Sequence, residues 1–251
     1  MKWKLQLLSL LFVSFEAAAV LNPQPLTKFS YQLQGKIVKH SEASVYFLDL
    51  FDTSTSTIKS LQNSGNKVVC YFSAGSGEDW RSDYKKIPTA ALGKKLEGWD
   101  GERWLDVRNA GVISVMNERI KLASTKGCNG VDADNVDGYY GQTGFPLKQS
   151  DIISYLKKLN TEAQKYGLSM GMKNGSEIAS SVSSFLSWVV VEECAAYKEC
   201  GSFKPFIDKN KAVFRIEYTK YSSSECSNAK KAKMSLIYGS YSLDGNHKSC
   251  P

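Results

Sequence analysis

The sequence predicts an α/β fold, a single-domain (β/α)8 TIM-type barrel, and three observations support this prediction. Eight short apolar segments alternate with longer segments that are compatible with helices. The apolar segments are nearly continuous rather than alternating, which is typical of parallel strands buried on both faces. The chain has 251 residues, a length that one barrel of this type commonly fills.

The apolar segments predict eight strands, followed in several places by helices. The predicted strands are Ser44–Leu50, Lys67–Phe72, Arg103–Val107, Gly130–Asp134, Leu168–Lys173, Trp188–Glu192, Ala212–Glu217 and Met234–Tyr238. Helices are predicted over Val112–Ser124 and Asp151–Tyr166. In the second helix, apolar residues recur at three- and four-residue spacing, and Gly167 follows as expected at a helix C-terminus.

The N-terminus has the pattern of a secretory signal peptide. Lys2 and Lys4 precede an apolar run over residues 5–15, and small residues follow at positions 17–19. The run is too short to span a bilayer. We therefore expect cleavage near Ala19, a mature domain over residues 20–251, no membrane span after cleavage, and a secreted or cell-surface location. The alternative interpretations are an uncleaved anchor and a first core strand.

The cysteines indicate disulfides rather than a metal site. Six cysteines are an even number in a chain with an export signal, so bridges are expected. The pairs Cys194–Cys200 and Cys226–Cys250 are feasible, whereas Cys70 is either a buried free thiol or the partner of Cys128. The sequence has no CxxC pair and only two histidines, so no zinc site is expected. We expect no cofactor.

The formal net charge of +7 does not by itself indicate a nucleic-acid partner. Lysine and arginine residues are scattered along the sequence instead of forming a basic stripe. Lys230, Lys231 and Lys233 form a local run, which we interpret as the solvated face of a late helix. We expect no nucleic-acid binding, and we expect a monomer.

Polar and ionisable side chains follow the ends of the predicted strands. An acidic or hydroxyl residue in such a place is often only the N-cap of the next helix. The carboxyl ends of barrel strands all open onto one face, however, so side chains at many strand ends converge there. The residues expected in this site are Tyr71, Ser73, Trp80, Arg81, Asp106, Asp132, Asp134, Tyr139, Lys173, Glu192, Tyr197 and Glu217.

Two carboxylates are the leading catalytic candidates. Asp132 and Asp134 point to the same side of a regular strand, and Asp134 lies at its end, closest to a bound substrate. Asp137 is interpreted as a turn or cap residue. In WVVVEEC, Glu192 is the first carboxylate after four apolar residues, so it ranks above Glu193. Neighbouring carboxylates raise one pKa, and an acid beside an anion is what cleaving a glycosidic bond requires.

Ordered motifs over about 200 residues carry a family resemblance. They are YQLQG, DLFD, VVCYFSAGSGEDWRSDY, GWDGERWLDVRN, GCNGVDADNVDGY, MGMKNG, VEECAAYKEC and FRIEY. With these motifs the sequence resembles glycoside hydrolase family 114, the endo-α-1,4-polygalactosaminidase-like proteins. The resemblance implies a secreted or surface barrel that cuts internal α-1,4 bonds of galactosamine-containing polysaccharide without a metal.

The resemblance also implies roles for the two carboxylates. It places the nucleophile on Asp134, at the fourth strand, and the acid/base on Glu192, at the sixth; the reverse assignment of the two roles is the alternative. The leading hypothesis is a retaining endo-glycosidase. The alternatives are a non-catalytic carbohydrate-binding or cell-wall protein and a glycosidase of other specificity.

The remaining site residues fit sugar recognition. Aromatic rings stack on pyranose faces, although aromatic side chains also commonly serve only as packing. Charged groups bond hydroxyls or hold the catalytic carboxylates in place. An acidic mouth would attract a partly deacetylated, cationic polymer despite the basic net charge. The aromatic candidates are Tyr71, Trp80, Tyr139 and Tyr197, and the charged ones are Arg81, Asp106 and Lys173.

Overall fold

Twelve strands are present in the computed structural model, which describes residues 20–251. They are β1 (Phe29–Gln32), β2 (Val45–Asp49), β3 (Lys67–Ser73), β4 (Ser76–Glu78), β5 (Leu92–Lys95), β6 (Glu102–Leu105), β7 (Gly130–Asp134), β8 (Ser169–Lys173), β9 (Trp188–Glu192), β10 (Ala212–Glu217), β11 (Ser235–Tyr238) and β12 (Lys248–Ser249). Eight of them are parallel neighbours in the order β1-β2-β3-β7-β8-β9-β10-β11. The predicted (β/α)8 barrel is confirmed.

Six helices accompany the strands within the described residues. They are α1 (Thr55–Asn63), α2 (Ala110–Lys126), α3 (Gln149–Lys165), α4 (Ala179–Val182), α5 (Lys204–Ile207) and α6 (Ser223–Lys231). The predicted helices correspond to α2, which is two residues longer at each end, and to α3, which begins two residues earlier and ends one residue earlier than predicted. Helix α2 ends at Gly127, whose φ of 89° is easily adopted by glycine. No helix in residues 20–251 combines the length and apolarity needed to cross a membrane. The predicted signal peptide lies outside the described residues.

The prediction assigned one barrel strand wrongly and missed another. The segment Arg103–Val107 was expected to be the third barrel strand. It lies largely in β6, which pairs antiparallel with β4 and β5 in a separate three-stranded sheet inserted between β3 and α2. The true first barrel strand, β1, was not predicted. Because these two errors cancel, β7 and β9 remain the fourth and sixth strands of the barrel.

The C-terminal segment bridges the first and last barrel strands. Strand β12 pairs antiparallel with β11, and the Leu33 amide at the end of β1 donates to the Leu243 carbonyl at 2.8 Å. Gln32 and Asp244 also form an isolated antiparallel bridge. The Cys226–Cys250 disulfide ties the end of this segment to α6. The polar loop before β12 is therefore held at the barrel mouth.

Three disulfides are present, and they use all six cysteines. The two feasible pairs, Cys194–Cys200 and Cys226–Cys250, are confirmed. The open alternative for Cys70 is settled as a bridge to Cys128, with the two Cα atoms 6.0 Å apart. This bridge joins β3 to the segment that leads into β7, the strand that carries Asp132 and Asp134.

The interior of the barrel is built around one tryptophan. Trp188, the first residue of β9, is fully buried among the inward-facing side chains, and its indole fills space left by glycines on the neighbouring strands. A Cβ atom at Gly130 would lie 2.7 Å from this indole, and one at Gly171 would lie 2.0 Å from its Nε1. Because Gly130 and Gly171 have no side chains, they leave the space that the Trp188 indole occupies.

We expect Gly171→Ala to destabilise the fold by about 1–3 kcal/mol or more, because the new methyl group has no space beside Trp188. Urea unfolding measures the loss. Gly201→Ala is the matched control, since its Cβ would meet nothing within 4 Å. Equal unfolding midpoints for the two variants would contradict this account of the interior.

Candidate active site

A cavity of about 550 Å³ opens at the carboxyl ends of the barrel strands. Its charged lining is strongly acidic. The carboxylates are Asp49, Asp52, Glu78, Glu102, Asp134, Asp137, Glu192 and Glu193, and the cations are Arg81 and Lys173. Such an excess of one charge inside a concave, low-dielectric wall concentrates the electric field and attracts cationic ligands.

Lys173 lies between the two predicted catalytic carboxylates. Its Nζ is 3.0 Å from Asp134 Oδ2 and 2.6 Å from Glu192 Oε2. The two oxygens therefore cannot be farther apart than the sum of these distances, 5.6 Å. All three side chains come from adjacent strands, β7, β8 and β9, and Lys173 occupies the middle strand. The order of strands in the sheet thus places the cation between the acids.

Two tyrosines complete the contacts of the carboxylates. The Tyr71 hydroxyl donates to Asp134 Oδ2 at 2.8 Å, and the Tyr218 hydroxyl donates to Glu192 Oε1. The Glu192 amide donates to Asn174 Oδ1 at 2.9 Å, which fixes the end of β9 against the end of β8. The carboxylates are therefore held on more than one side, as a preorganised site requires.

Each of the three charged residues is followed by a residue in the left-handed region. Asn135, Asn174 and Glu193 have φ values of 58°, 61° and 52°. Asparagine adopts this region more readily than most residues, whereas glutamate rarely does. This conformation turns the chain sharply away after each strand. The side chains of Asp134, Lys173 and Glu192 are thus the last inward-facing groups of their strands.

Electrostatics keeps Lys173 charged although it is almost fully buried. Burial lowers the pKa of its ammonium group, but the charges of Asp134 and Glu192 outweigh burial and raise that pKa well above its usual value. Three other acids of the cavity hold protons more tightly than usual: burial raises the pKa of Glu78, and larger shifts occur at Glu102 and Asp137. Burial raises the pKa of Glu102 to about 7, and burial with the nearby Asp134 charge raises that of Asp137 to about 6.

Asp132 lies one layer below the cavity, as the strand alternation predicted. It is fully buried, accepts from Trp188 Nε1 at 3.0 Å and accepts from the Tyr31 hydroxyl at 3.2 Å. Burial, reinforced by the charge of Asp134, raises the pKa of Asp132 to about 7. Asp132 therefore supports the floor of the site and has no surface exposed to a substrate.

Seven of the twelve predicted site residues lie where a ligand could touch them. Tyr71, Trp80, Arg81, Asp134, Lys173 and Glu192 line the cavity. Tyr197 lines an adjoining acidic cleft that shares Glu192 with the cavity. Trp80 is 52% exposed and Tyr197 71% exposed, so both rings are available for stacking. Arg81 is held by three carboxylates, Asp49 at 2.6 Å, Glu78 at 2.9 Å and Asp52 at 3.2 Å.

The structure does not bring the other five residues to the cavity wall. Ser73 is buried and accepts from Asn135 Nδ2 at 2.8 Å, while Asp132 lies in the floor. Asp106 follows the wrongly assigned strand and is paired with Arg108 at 2.8 Å.

Two further predicted residues are engaged in contacts of their own. Glu217 is buried and accepts from Arg215 at 2.9 Å and from the Ala195 amide at 3.1 Å. Tyr139 donates to Glu177 at 2.9 Å. We assign these two residues, like Ser73, Asp132 and Asp106, to support of the surrounding structure.

Several cavity residues were not predicted. Tyr218 follows β10 directly, in the motif FRIEY, and the alternation of that strand would have been the signal for it. Asp137 was interpreted as a turn residue, yet it lines the cavity. Glu102 and Trp99 belong to the inserted sheet or its turn, and Tyr241 belongs to the C-terminal loop, so no barrel strand end marks them.

One set of potential metal ligands lies close together within residues 20–251: Cys194, Cys200 and Glu217. Both cysteines are oxidised to a disulfide, so they offer no thiolate to an ion. The expectation that the reaction needs no metal stays a prediction.

The buried Asp132 makes a pH-dependent contribution to stability. Because its folded pKa of about 7 exceeds the ordinary value of 3.8, the unfolded chain releases the proton first as pH rises. The free energy of unfolding of the wild type should therefore fall between about pH 4 and about pH 7 relative to Asp132→Asn, by at most about 1.4 kcal/mol per pH unit. Urea unfolding across this range checks it. Asp208→Asn, at an exposed site, is the control. Parallel stability profiles for the wild type and Asp132→Asn would contradict the predicted contribution of Asp132.

Comparison with known proteins connects this geometry to a family. The crystal structure of Aspergillus fumigatus Ega3 in complex with galactosamine is similar at 38% sequence identity and a TM-score of 0.87, covering 92% of this chain and 98% of that chain. The glycoside hydrolase domain of PelA from Pseudomonas aeruginosa shares the fold at 14% identity and a TM-score of 0.72, covering 89% and 98%.

A search of curated proteins finds no match. The sequence model of glycoside hydrolase family GH114 matches residues 13–251. The predicted resemblance is confirmed, and the chain belongs to glycoside hydrolase family GH114.

Proposed function

We propose that this protein is an endo-acting hydrolase that cuts internal α-1,4 bonds of galactosamine-containing polysaccharide by a retaining mechanism. The observation that carries the proposal is the pair Asp134 and Glu192, joined by Lys173 within an acidic cavity. The galactosamine bound in the related Ega3 structure supports the sugar class.

The acidic cavity suits a cationic sugar polymer. Free amino groups on galactosamine units are positively charged when protonated, and carboxylates around the cavity attract them. Trp80 and Tyr241 line the same cavity with exposed rings, which would stack on pyranose faces. Charge and stacking together would orient the chain across the acid pair.

In the first step, Asp134 attacks the anomeric carbon and forms a covalent glycosyl ester, while Glu192 gives its proton to the leaving oxygen. The negative charge thereby moves from Asp134 to Glu192. Lys173 contacts both carboxylates, so it stays beside the one that is charged throughout this step. The Tyr218 hydroxyl stabilises the Glu192 carboxylate that forms.

In the second step, Glu192 takes a proton from water, and the resulting hydroxide attacks the anomeric carbon and releases Asp134. Two displacements at one carbon restore its original configuration. The limit of 5.6 Å between the Lys173-bound oxygens supports this mechanism, since retaining enzymes hold their carboxyl groups about 5–5.5 Å apart and inverting enzymes about 6.5–9.5 Å apart.

We also propose that the protein acts outside the cell or at its surface. All six cysteines are paired in disulfides, which persist in oxidising compartments and are rare in the cytosol.

We expect Asp134→Asn and Glu192→Gln each to lower kcat/KM on α-1,4-linked galactosamine oligomers by at least about 100-fold, because each removes one carboxylate needed for the proton transfer or the attack. Mass spectrometry of the products measures cleavage. Asp208→Asn and Glu118→Gln are matched controls at exposed sites with the same chemical change.

Other outcomes would favour the alternatives. Equal activity in the wild type and both variants would contradict the catalytic pair. Binding of the oligomers without any cleavage by the wild type would favour a non-catalytic carbohydrate-binding protein. Cleavage of a different glycan that still needs Asp134 and Glu192 would indicate another specificity.

The retaining mechanism makes its own prediction. The first product released from an α-linked oligomer should carry the α configuration at its new reducing end. Proton NMR recorded early in the reaction, before mutarotation, measures this configuration. A β product at the earliest time points would instead indicate inversion, with a water molecule between the two carboxyl groups.

A further inference from the structure

A second cleft of about 550 Å³ lies beside the catalytic cavity. We call it the side cleft; it is lined by residues 32–37, Lys39, Asp49, residues 52–54 and, from α1, Ser56, Thr57, Ser60 and Leu61. Leu33, Gln34, Asp49 and Asp52 line both the side cleft and the catalytic cavity. The two spaces therefore adjoin at the barrel mouth, so a polymer long enough to extend past the acid pair would reach the side cleft.

One wall of the side cleft is a loop held by a buried glutamine. Gln32, at the end of β1, donates from Nε2 to the Gln34 carbonyl at 2.9 Å and to the Lys36 carbonyl at 3.0 Å. Its Oε1 accepts from the Val38 amide at 3.0 Å. Both donors of the side-chain nitrogen and one acceptor position of the oxygen serve this loop, so the wall is held in place before any ligand binds.

The opposite wall is the start of α1. Ser54 caps this helix by accepting from the Thr57 amide at 3.1 Å, and the neighbouring hydroxyls of Ser56 and Ser60 also line the side cleft. Both serines are exposed. This wall offers hydroxyl groups, which suit the hydroxyls of a sugar chain without requiring a charge.

The two spaces differ sharply in charge. Beyond the shared Asp49 and Asp52, the side cleft has no carboxylate in its lining, and it adds Lys36 and Lys39. Asp49 is further neutralised by Arg81 at 2.6 Å. The side cleft is thus close to neutral overall, whereas the catalytic cavity has eight carboxylates and two cations.

The adjoining cleft on the opposite side of the catalytic cavity is acidic. Asp137, Glu192, Glu193 and Glu199 line it, with no lysine or arginine among its lining residues. A polymer that crosses the acid pair therefore meets negative charge in the catalytic cavity and in the acidic adjoining cleft. In the side cleft it meets balanced charge.

We propose that the side cleft is an extended binding site for sugar units that carry no positive charge, such as N-acetylated units, while the cavity takes amino sugars. The proposal rests on the proposed function of the acid pair. Lys36 and Lys39 disfavour binding of protonated amino sugars in the side cleft, because like charges repel. The hydroxyl groups of its α1 wall can bond neutral sugars. The enzyme would then cut near junctions between deacetylated and acetylated stretches of its substrate.

Charge reversal in the side cleft tests the proposal by binding alone. The probes are α-1,4-galactosamine oligomers bound to the inert Glu192→Gln variant and followed by calorimetry: a fully deacetylated octamer, a half-acetylated octamer and a deacetylated trimer. We expect Lys36→Glu/Lys39→Glu to tighten binding of the deacetylated octamer about fivefold. Binding of the half-acetylated octamer and of the trimer should change much less.

The matched control is Lys59→Glu/Lys121→Glu, which changes net charge equally at exposed positions outside the side cleft. This control variant should change the affinities for the deacetylated octamer and for the trimer by the same factor. Equal tightening of octamer and trimer by Lys36→Glu/Lys39→Glu, or no tightening of the octamer, would overturn the proposal. Because these probes are not cleaved, failure here is distinct from failure of the wild type to cut galactosamine oligomers.

Discussion

The ammonium group of Lys173 is the contact on which the rest of the active site depends. Two carboxylates whose Lys173-bound oxygens lie within 5.6 Å of each other resist joint ionisation. Lys173 lies within hydrogen-bond distance of both, so its charge stays beside whichever carboxyl group is ionised, and the negative charge of the pair offsets its own burial. A lysine on the strand between the two acid-bearing strands is therefore what allows the acids to face one another.

The layer beneath explains how the barrel tolerates so many polar groups inside. Gly130 and Gly171 have no side chains, and the indole of Trp188 occupies the space they leave. Trp188 then donates to Asp132, which also accepts from Tyr31. The polar atoms of Asp132, Trp188 and Tyr31 in this floor are therefore paired with one another beneath the charged layer.

The predictions from sequence were correct where a local pattern determines the structure. Asp134 and Glu192 were placed correctly at strand ends because an apolar run ending in a carboxylate fixes that position locally. Strand β1 was missed because FSYQ has two polar residues in four, and RWLDV was misassigned because periodicity cannot tell a barrel strand from one in an inserted antiparallel sheet. Asp106 was expected in the site only through that misassignment. Tyr218 reaches Glu192 because β10 and β9 are neighbours in the sheet, and the alternation along β10 was the local signal for it.

The charge of the cavity depends on pH through residues that do not touch the reacting bond. The chain has a formal charge of +7, yet eight carboxylates surround the cavity, so the local field opposes the net charge. Burial raises the pKa of Glu102 to about 7 and that of Asp137 to about 6. As pH rises through this range both groups ionise and attract amines more strongly, whereas at higher pH the amines themselves lose their protons. Attraction for a cationic polymer is therefore greatest near neutral pH, because Glu102 and Asp137 are buried at the cavity wall.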